Sequence, residues 1–311
     1  MGFPGRRVVD TARMVKTQRW KRRGSTGEAT AKTADGTADQ GPLDGDTLTE
    51  ATLDSDALSP PVSPSPEPQR RAAGRLRLRD RAPVLLLQAA HPRQALLTGL
   101  FVGAAAAVSG RPTREVAVVF ATVLVGQVIL GWHNDLVDRR RDARHETPGK
   151  PLADERLDPG TAWFALTCAV LLVVPLSITS GVTAGSAYLL SLVVGLLGNV
   201  VLRKGFFSWL PWALSYGLIP AFLSYGGWGG EFEGDPPRIL MTALFAALGV
   251  GVHFLRALWG LVPDNEDGWT YLPLKLGLRL GATRLLILSG VYTAVVLLLI
   301  VFAATYSGLA Q

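Results

Sequence analysis

Residues 115–142 read EVAVVFATVLVGQVILGWHNDLVDRRRD. From Val116 to Leu130 the chain carries no charge, and with its flanks this run is close to the roughly 20 residues a helix needs to cross about 30 Å of hydrocarbon. It then leads straight into Asn134, Asp135, Asp138 and Asp142, interleaved with Arg139, Arg140 and Arg141. A helix that turns this densely charged has reached the edge of a bilayer, because charge inside the apolar layer is costly.

Outward from this segment the same pattern repeats. Seven apolar spans are expected, at about 84–109, 115–137, 160–179, 182–202, 207–227, 238–260 and 284–306. His91-Pro92-Arg93 interrupts the first, and an internal proline predicts a kink. The fold class is therefore an all-α polytopic transmembrane helical bundle occupying residues 82–311. Composition agrees: 48% of the 311 residues are hydrophobic and only 18% charged. A soluble globular enzyme is excluded on these grounds. Cys168 is the only cysteine, which excludes a disulfide scaffold and a cysteine-built zinc cluster.

Of 31 Lys and Arg residues, 15 lie in residues 1–81. That segment opens basic, passes through a Thr/Ala/Gly/Asp/Ser-rich stretch and ends near Pro60-Pro61-Val62-Ser63-Pro64-Ser65-Pro66. Such a composition predicts a disordered tail. Its basic opening reads either as a patch for anionic lipid headgroups or as an uninformative tail. The net charge of +6 is placed for a membrane, so no nucleic-acid partner is expected.

Loop charge predicts orientation. The 137–159 loop holds Arg139, Arg140, Arg141, Arg144, Lys150 and Arg156, the 203–206 loop Arg203 and Lys204, and the 261–283 loop Lys275 and Arg279; opposite them the 110–114 turn has Arg111 and Arg114, and the 228–237 loop is acidic through Glu231, Glu233 and Asp235. This predicts a multi-pass protein of the cell membrane with a cytoplasmic amino terminus.

The chemistry concentrates in two segments on that predicted cytoplasmic side. On a helix, Asn134, Asp138 and Asp142 are four apart and Asp135 and Asp138 three apart, which predicts all four broadly on one face. Clustered carboxylates repel, and a hard divalent cation such as Mg²⁺ would offset that repulsion while sharing its remaining positions with water and phosphate. The second segment is Pro263-Asp264-Asn265-Glu266-Asp267-Gly268. Two acidic patches facing one cavity could each hold Mg²⁺ on a shared diphosphate.

These residues carry a resemblance. Asn134-Asp135-x-x-Asp138-x-x-x-Asp142 resembles the first Asp-rich motif of the UbiA-type intramembrane prenyltransferases. Pro148-Gly149-Lys150-Pro151-Leu152 resembles the stretch that follows it. Arg203-Lys204 with Ser208-x-Leu210-Pro211 resembles the basic pair and following helix in the middle of that fold. Asp264-x-x-Asp267 with Leu272-Pro273-x-Lys275-Leu276-Gly277 resembles the second Asp-rich motif and its tail. The likeness covers roughly residues 85–306.

The resemblance implies a helical bundle around a cavity open to the cytoplasm and sideways to lipid. It implies that an isoprenyl diphosphate binds through Mg²⁺, ionises, and alkylates a membrane-soluble aromatic or lipid acceptor. In that reading Asp135, Asp138, Asp264 and Asp267 are catalytic. Asn134, Asp135, Asp138, Asp142, Asp264 and Asp267 hold metal, and Arg203, Lys204 and Lys275 contact the diphosphate. A membrane terpene cyclase would carry the same motifs, and a non-catalytic membrane protein on a degenerate scaffold is the further alternative.

Two departures stand out. Gly268 occupies the place where the family's second motif usually has a carboxylate, and seven spans stand against the family's usual nine. Three readings stay open: a smaller bundle, a homo-oligomer that closes the cavity, or a scaffold too incomplete for catalysis. Arg203 and Lys204 also read as positive-inside anchors. Arg256, inside the sixth span, requires a partner or an aqueous cavity. His133, His253 and Asn199 are further candidates for the cavity wall. Trp209, Trp212, Trp228 and Trp259 read as belt residues, or as rings facing the cavity.

Overall fold

The computed structural model describes residues 81–227 and 234–306. Apart from Arg81, the expected disordered tail lies outside the described residues, as do Trp228, Glu231 and Glu233.

The described elements are α1 (Ala82–Ala89), α2 (Pro92–Val108), α3 (Thr113–Arg144), α4 (Pro159–Ile178), α5 (Val182–Gly198), α6 (Leu210–Gly217), α7 (Ile219–Ser224), α8 (Ile239–Ala257), α9 (Leu261–Glu266), α10 (Leu272–Leu280) and α11 (Ala282–Tyr306). Short 3₁₀ turns, Phe206–Trp209 and Leu258–Gly260, lead into α6 and α9. No strand occurs among the described residues.

All seven apolar spans are helical. Five passages are long and apolar enough to cross a membrane: Thr113–Arg144, Pro159–Ile178, Phe206–Ser224, Ile239–Glu266 and Ala282–Tyr306. The helices α2 and α5 have 17 residues each. That is about 26 Å at 1.5 Å per residue, a little short of the ~30 Å apolar layer. The bundle is apolar outside as well as inside, with Leu171 70% and Leu298 69% exposed. This is the surface a lipid-facing helix needs, since the backbone satisfies its own hydrogen bonds and the side chains meet hydrocarbon.

Three local features position the polar end of the bundle. First, the interruption at His91-Pro92 is a full break. Helix α1 ends at Ala89, His91 adopts a left-handed backbone (φ 51°), and Pro92 starts α2. Pro suits a first helical turn, where its missing N–H costs nothing. Second, α3 is 32 residues long, about 48 Å, so its last turns project beyond the apolar layer and carry Asn134–Asp142 into the polar region. Third, small residues set close approaches between helices. A Cβ on Gly131 would stand 3.0 Å from the Ala90 carbonyl oxygen, and one on Gly249 would collide with the Trp212 carbonyl. The first contact brings His91 to α3, and the second presses α8 onto α6.

The 261–283 segment, expected as a loop, contains α9 and α10. Leu272–Leu280 alternates Leu with Pro, Lys, Gly and Arg, a period that does not suggest a helix. Burial of Pro273, Leu274 and Gly277 on one side of α10 overrides it.

At the opposite end, the Arg111 guanidinium donates to the carbonyl oxygens of Leu223 and Gly226 and pairs with Glu115 at 3.3 Å. This ties the α2–α3 turn to the end of α7.

Candidate active site

The ends of α3, α5, α8 and α9 and the start of α2 converge on a cavity of about 270 Å³. Asn134, Asp138 and Arg141 from α3 line it, as do Asp264 from α9 and Arg203 from the α5–α6 connection. Asn199, Trp212, His253, Arg256, Trp269 and Tyr271 also form its wall.

The expected single face of four polar residues on α3 is divided in two. At about 100° per residue, positions 134, 138 and 141 share one side, and 135 and 142 share the next. Asn134 and Asp138 face the cavity. Asp135 is buried against His91, with its Oδ1 2.9 Å from the imidazole Nε2 and also accepting from Lys150 Nζ. Lys150 reaches Asp142 as well, at 3.7 Å. Asp135 and Asp142 thus belong to a latch that binds the Pro148–Leu152 stretch and the α1–α2 break to α3.

The second motif is likewise divided. Asp264 is buried and lines the cavity, while Asp267 lies beside it, outside the lining. Arg141 joins both motifs, its Nη2 2.5 Å from Asp264 and its Nε 2.5 Å from Asp267. His145 Nε2 also reaches Asp267, at 3.1 Å. The Arg141 hydrogen bond holds the Asp267 carboxyl below its ordinary value. The Tyr271 hydroxyl donates to Asp264, and burial, then this carboxylate, pushes the hydroxyl well above the usual tyrosine range.

The two anionic rims therefore meet at one mouth, as expected, but the chain itself supplies much of the compensation. Arg203 pairs with Asp138 at 2.5 Å, Arg141 with Asp264 and Asp267, and Lys150 with Asp135 and Asp142. The Trp269 ring stacks against three cations, with Arg141 at 4.4 Å, Arg203 at 5.0 Å and Lys204 at 5.7 Å from its centroid. Lys275 is exposed on α10 and does not line the cavity.

The donor chemistry suits Mg²⁺. Asn134, Asp138 and Asp264 offer hard oxygens around one space, and Asp138 Oδ1 accepts no hydrogen bond, its contact being the Arg203 ion pair. Among the described residues no three carboxylate, thiol or imidazole groups converge on a point. A cation there takes one or two protein carboxylates and completes its shell with water and phosphate oxygens, which is the habit of Mg²⁺.

Of the other candidates, Arg256, His253 and Asn199 reach the cavity wall and His133 does not. His133 Nδ1 lies 3.4 Å from the Asn199 amide nitrogen. Trp212 faces the cavity, while Trp259 is 91% exposed, as a belt residue would be. The sequence reading missed Arg141, Trp269, Tyr271 and His91. Arg141 was legible in principle, because it falls on the face of Asn134 and Asp138, but three consecutive arginines read as one positive-inside signal. Trp269 and Tyr271 had no such signal.

Comparison with curated proteins returns no match. Two solved structures share the fold: a UbiA homolog from Archaeoglobus fulgidus bound to GPP and Mg²⁺, and one from the same organism bound to DMAPP and Mg²⁺. The first has a TM-score of 0.54 and 13% identity over 71% of this chain and 87% of that one. The second has a TM-score of 0.53 and 16% identity over 69% and 75%. The sequence itself matches the UbiA prenyltransferase family over residues 95–310. With that match covering most of the chain and the helical architecture agreeing, the chain belongs to the UbiA prenyltransferase family.

Proposed function

We propose that the chain is a Mg²⁺-dependent membrane prenyltransferase, which ionises an isoprenyl diphosphate at the polar mouth and passes the prenyl group to an acceptor within the bundle. The observation that carries this reading is the convergence of Asn134 and Asp138 with Asp264 on one cavity, the two motifs joined through Arg141. Family membership and the GPP- and DMAPP-bound structures of the fold relatives support it.

Asn134, Asp138 and Asp264 would hold the metal. Bound there, Mg²⁺ would neutralise charge that builds on the departing diphosphate. Arg203 and Arg141 are the cations nearest those carboxylates, and their planar guanidinium groups suit bidentate contact with phosphate oxygens. Trp269 holds both guanidinium groups in place, and Lys204 adds a third positive charge on the same ring. Asp135, Asp142 and Lys150 act one step back by fixing the end of α3. The apolar wall deeper in the bundle takes the prenyl tail and keeps water from the allylic cation. The carboxylate that Gly268 lacks is not needed in this arrangement, because Asp264 supplies the cavity-facing oxygen of the second motif. We place the mouth on the cytoplasmic side, on the strength of the Lys and Arg residues that its loops carry.

The test is pyrophosphate release from geranyl diphosphate by the full chain in liposomes, with and without Mg²⁺. Asp138→Ala should lower it by about a hundredfold or more, the usual scale for loss of one electrostatic stabiliser. Unchanged release in that variant overturns the assignment. Cyclised hydrocarbon formed without an acceptor would identify a cyclase instead.

A further inference from the structure

Lys275 and Arg279 on α10 and Arg284 on the first turn of α11 lie outside the cavity and are exposed. Among the described residues none of them has an ion pair or a side-chain hydrogen bond. The first turn of α11 holds no acidic residue either. Arg141, Arg203 and Lys150 differ, since each sits on a carboxylate. Helix α10 buries Pro273, Leu274 and Gly277. At about 100° per residue, Lys275, Leu278 and Arg279 fall together on the opposite side, where Leu278 is 61% exposed.

The chemistry of this face says what covers it. A leucine between two long cations is the pattern of a helix lying in a membrane interface, with its apolar side chain at the acyl boundary and its basic ones among headgroups. Trp259, in the turn that leads into α9, and Val262 in α9 are large apolar side chains left exposed at the same end of the bundle, and Trp is at home in the headgroup layer. A neutral lipid would match Leu278 and leave the three cations without a counter-charge. An acidic peptide would match the cations and leave Leu278 in water. An anionic phospholipid matches both. The face is also joined to the mouth. A Cβ on Gly277 would stand 3.1 Å from the Leu261 side chain of α9 and 3.3 Å from that of Leu285 of α11, so α10 is wedged between them. Tyr271, just before α10, donates to Asp264 of α9.

We infer that α10 together with Arg284 is a docking surface for the headgroups of anionic phospholipids, and that docking there steadies α9 and its Asp264. The inference goes beyond the transferase reading and does not depend on it. Lys275, which lies off the cavity, becomes a lipid contact. The leaflet that supplies such headgroups in quantity is the cytoplasmic one, the side on which the basic loops place the mouth.

The test offers the full chain in detergent an equal mixture of phosphatidylglycerol and phosphatidylcholine and counts the retained lipids by native mass spectrometry. Wild type should retain phosphatidylglycerol in preference. A variant combining Lys275→Gln, Arg279→Gln and Arg284→Gln should lose most of that preference, up to about fivefold for each cation removed. Residues 1–81 are the same in both proteins, so the difference reads α10 and Arg284. A variant combining Lys275→Arg, Arg279→Lys and Arg284→Lys should keep the preference. Excess inorganic phosphate should leave it in place, because phosphate has no acyl chain to meet Leu278. In phosphatidylcholine nanodiscs, added phosphatidylglycerol should slow amide hydrogen exchange across residues 261–280 in wild type and not in the glutamine variant. Equal retention of the two lipids by wild type overturns the surface, whether or not the variants fold. An undiminished preference in the glutamine variant overturns it as well, and so does displacement of the lipid by phosphate. Unchanged exchange across residues 261–280 overturns the link to α9.

Discussion

At the far end of the bundle Arg111 is buried and spends its donors on the main-chain carbonyls of Leu223 and Gly226 and on Glu115. At the motif end Arg141 and Arg203 are also largely buried, but they sit on Asp264, Asp267 and Asp138 beside an open cavity. Both arrangements satisfy a guanidinium in a protein that faces lipid. The difference lies in what the partners could do otherwise. Carbonyls at a helix end need a donor permanently, so Arg111 is a clamp. Carboxylates around a cavity can exchange one cation for another, so the ion pairs at the mouth fit a site that accepts Mg²⁺ and a charged substrate. Burial of an arginine therefore says little about function until its partners are known.

Asp138 is where the exchangeable contact and the permanent clamp differ most. Asp138→Ala should cost two to three orders of magnitude in pyrophosphate release, about 3–4 kcal/mol of transition-state stabilisation, with the unfolding midpoint in detergent nearly unchanged. A large loss of stability with activity per folded molecule intact would make Asp138 a clamp like Arg111.

Arg111→Ala should do the reverse. Leaving the Leu223 and Gly226 carbonyls without a donor should cost roughly 2–3 kcal/mol of stability, seen as a lowered thermal midpoint, while the folded fraction keeps its KM for the donor. Next in size is Trp269→Leu. Losing the stack under Arg141 and Arg203 removes about 0.5–2 kcal/mol of cation–π attraction, so KM for geranyl diphosphate should rise roughly tenfold with little change in the melting midpoint.

The smallest effect concerns Asp267. Because Arg141 holds its carboxyl below the ordinary value, the tie stabilises the fold fully above the usual carboxylate pKa. That stabilisation is lost as pH falls through the lowered value. An Asp267→Asn variant should therefore show a flatter decline of unfolding midpoint in acid than wild type, by under about 1 kcal/mol for so peripheral a group. An identical acid decline in both proteins would remove Asp267 from the interactions that hold the mouth together.

Much of this was readable from particular residues. The uncharged run from Val116 to Leu130, ending in Asn134 and its aspartates, placed a helix end at a polar boundary, and α3 has that form. His91-Pro92 marked an interruption, and the structure makes it a break. Leu272–Leu280 misled, because its alternation hides a helix that only packing stabilises. At the site, Asn134, Asp138 and Asp264 were legible, whereas the turning of Asp135 and Asp142 toward Lys150 was not. The spacing was known, but which side of α3 meets the cavity depends on neighbours far away in the chain.

The order of apolar spans and the charge at their ends belong to the sequence alone, because a helix that spans lipid must be long and apolar and charge facing hydrocarbon is costly. Which charges meet was settled by tertiary structure. Close approaches at Gly131 and Gly249 bring α1 to α3 and α6 to α8. Helix packing of this kind places Arg141 between both motifs and Arg256 beside the Trp212 ring on the cavity wall. Ion pairs form over a few ångströms, and no one-dimensional spacing specifies distances between helices that the chain joins only through remote turns.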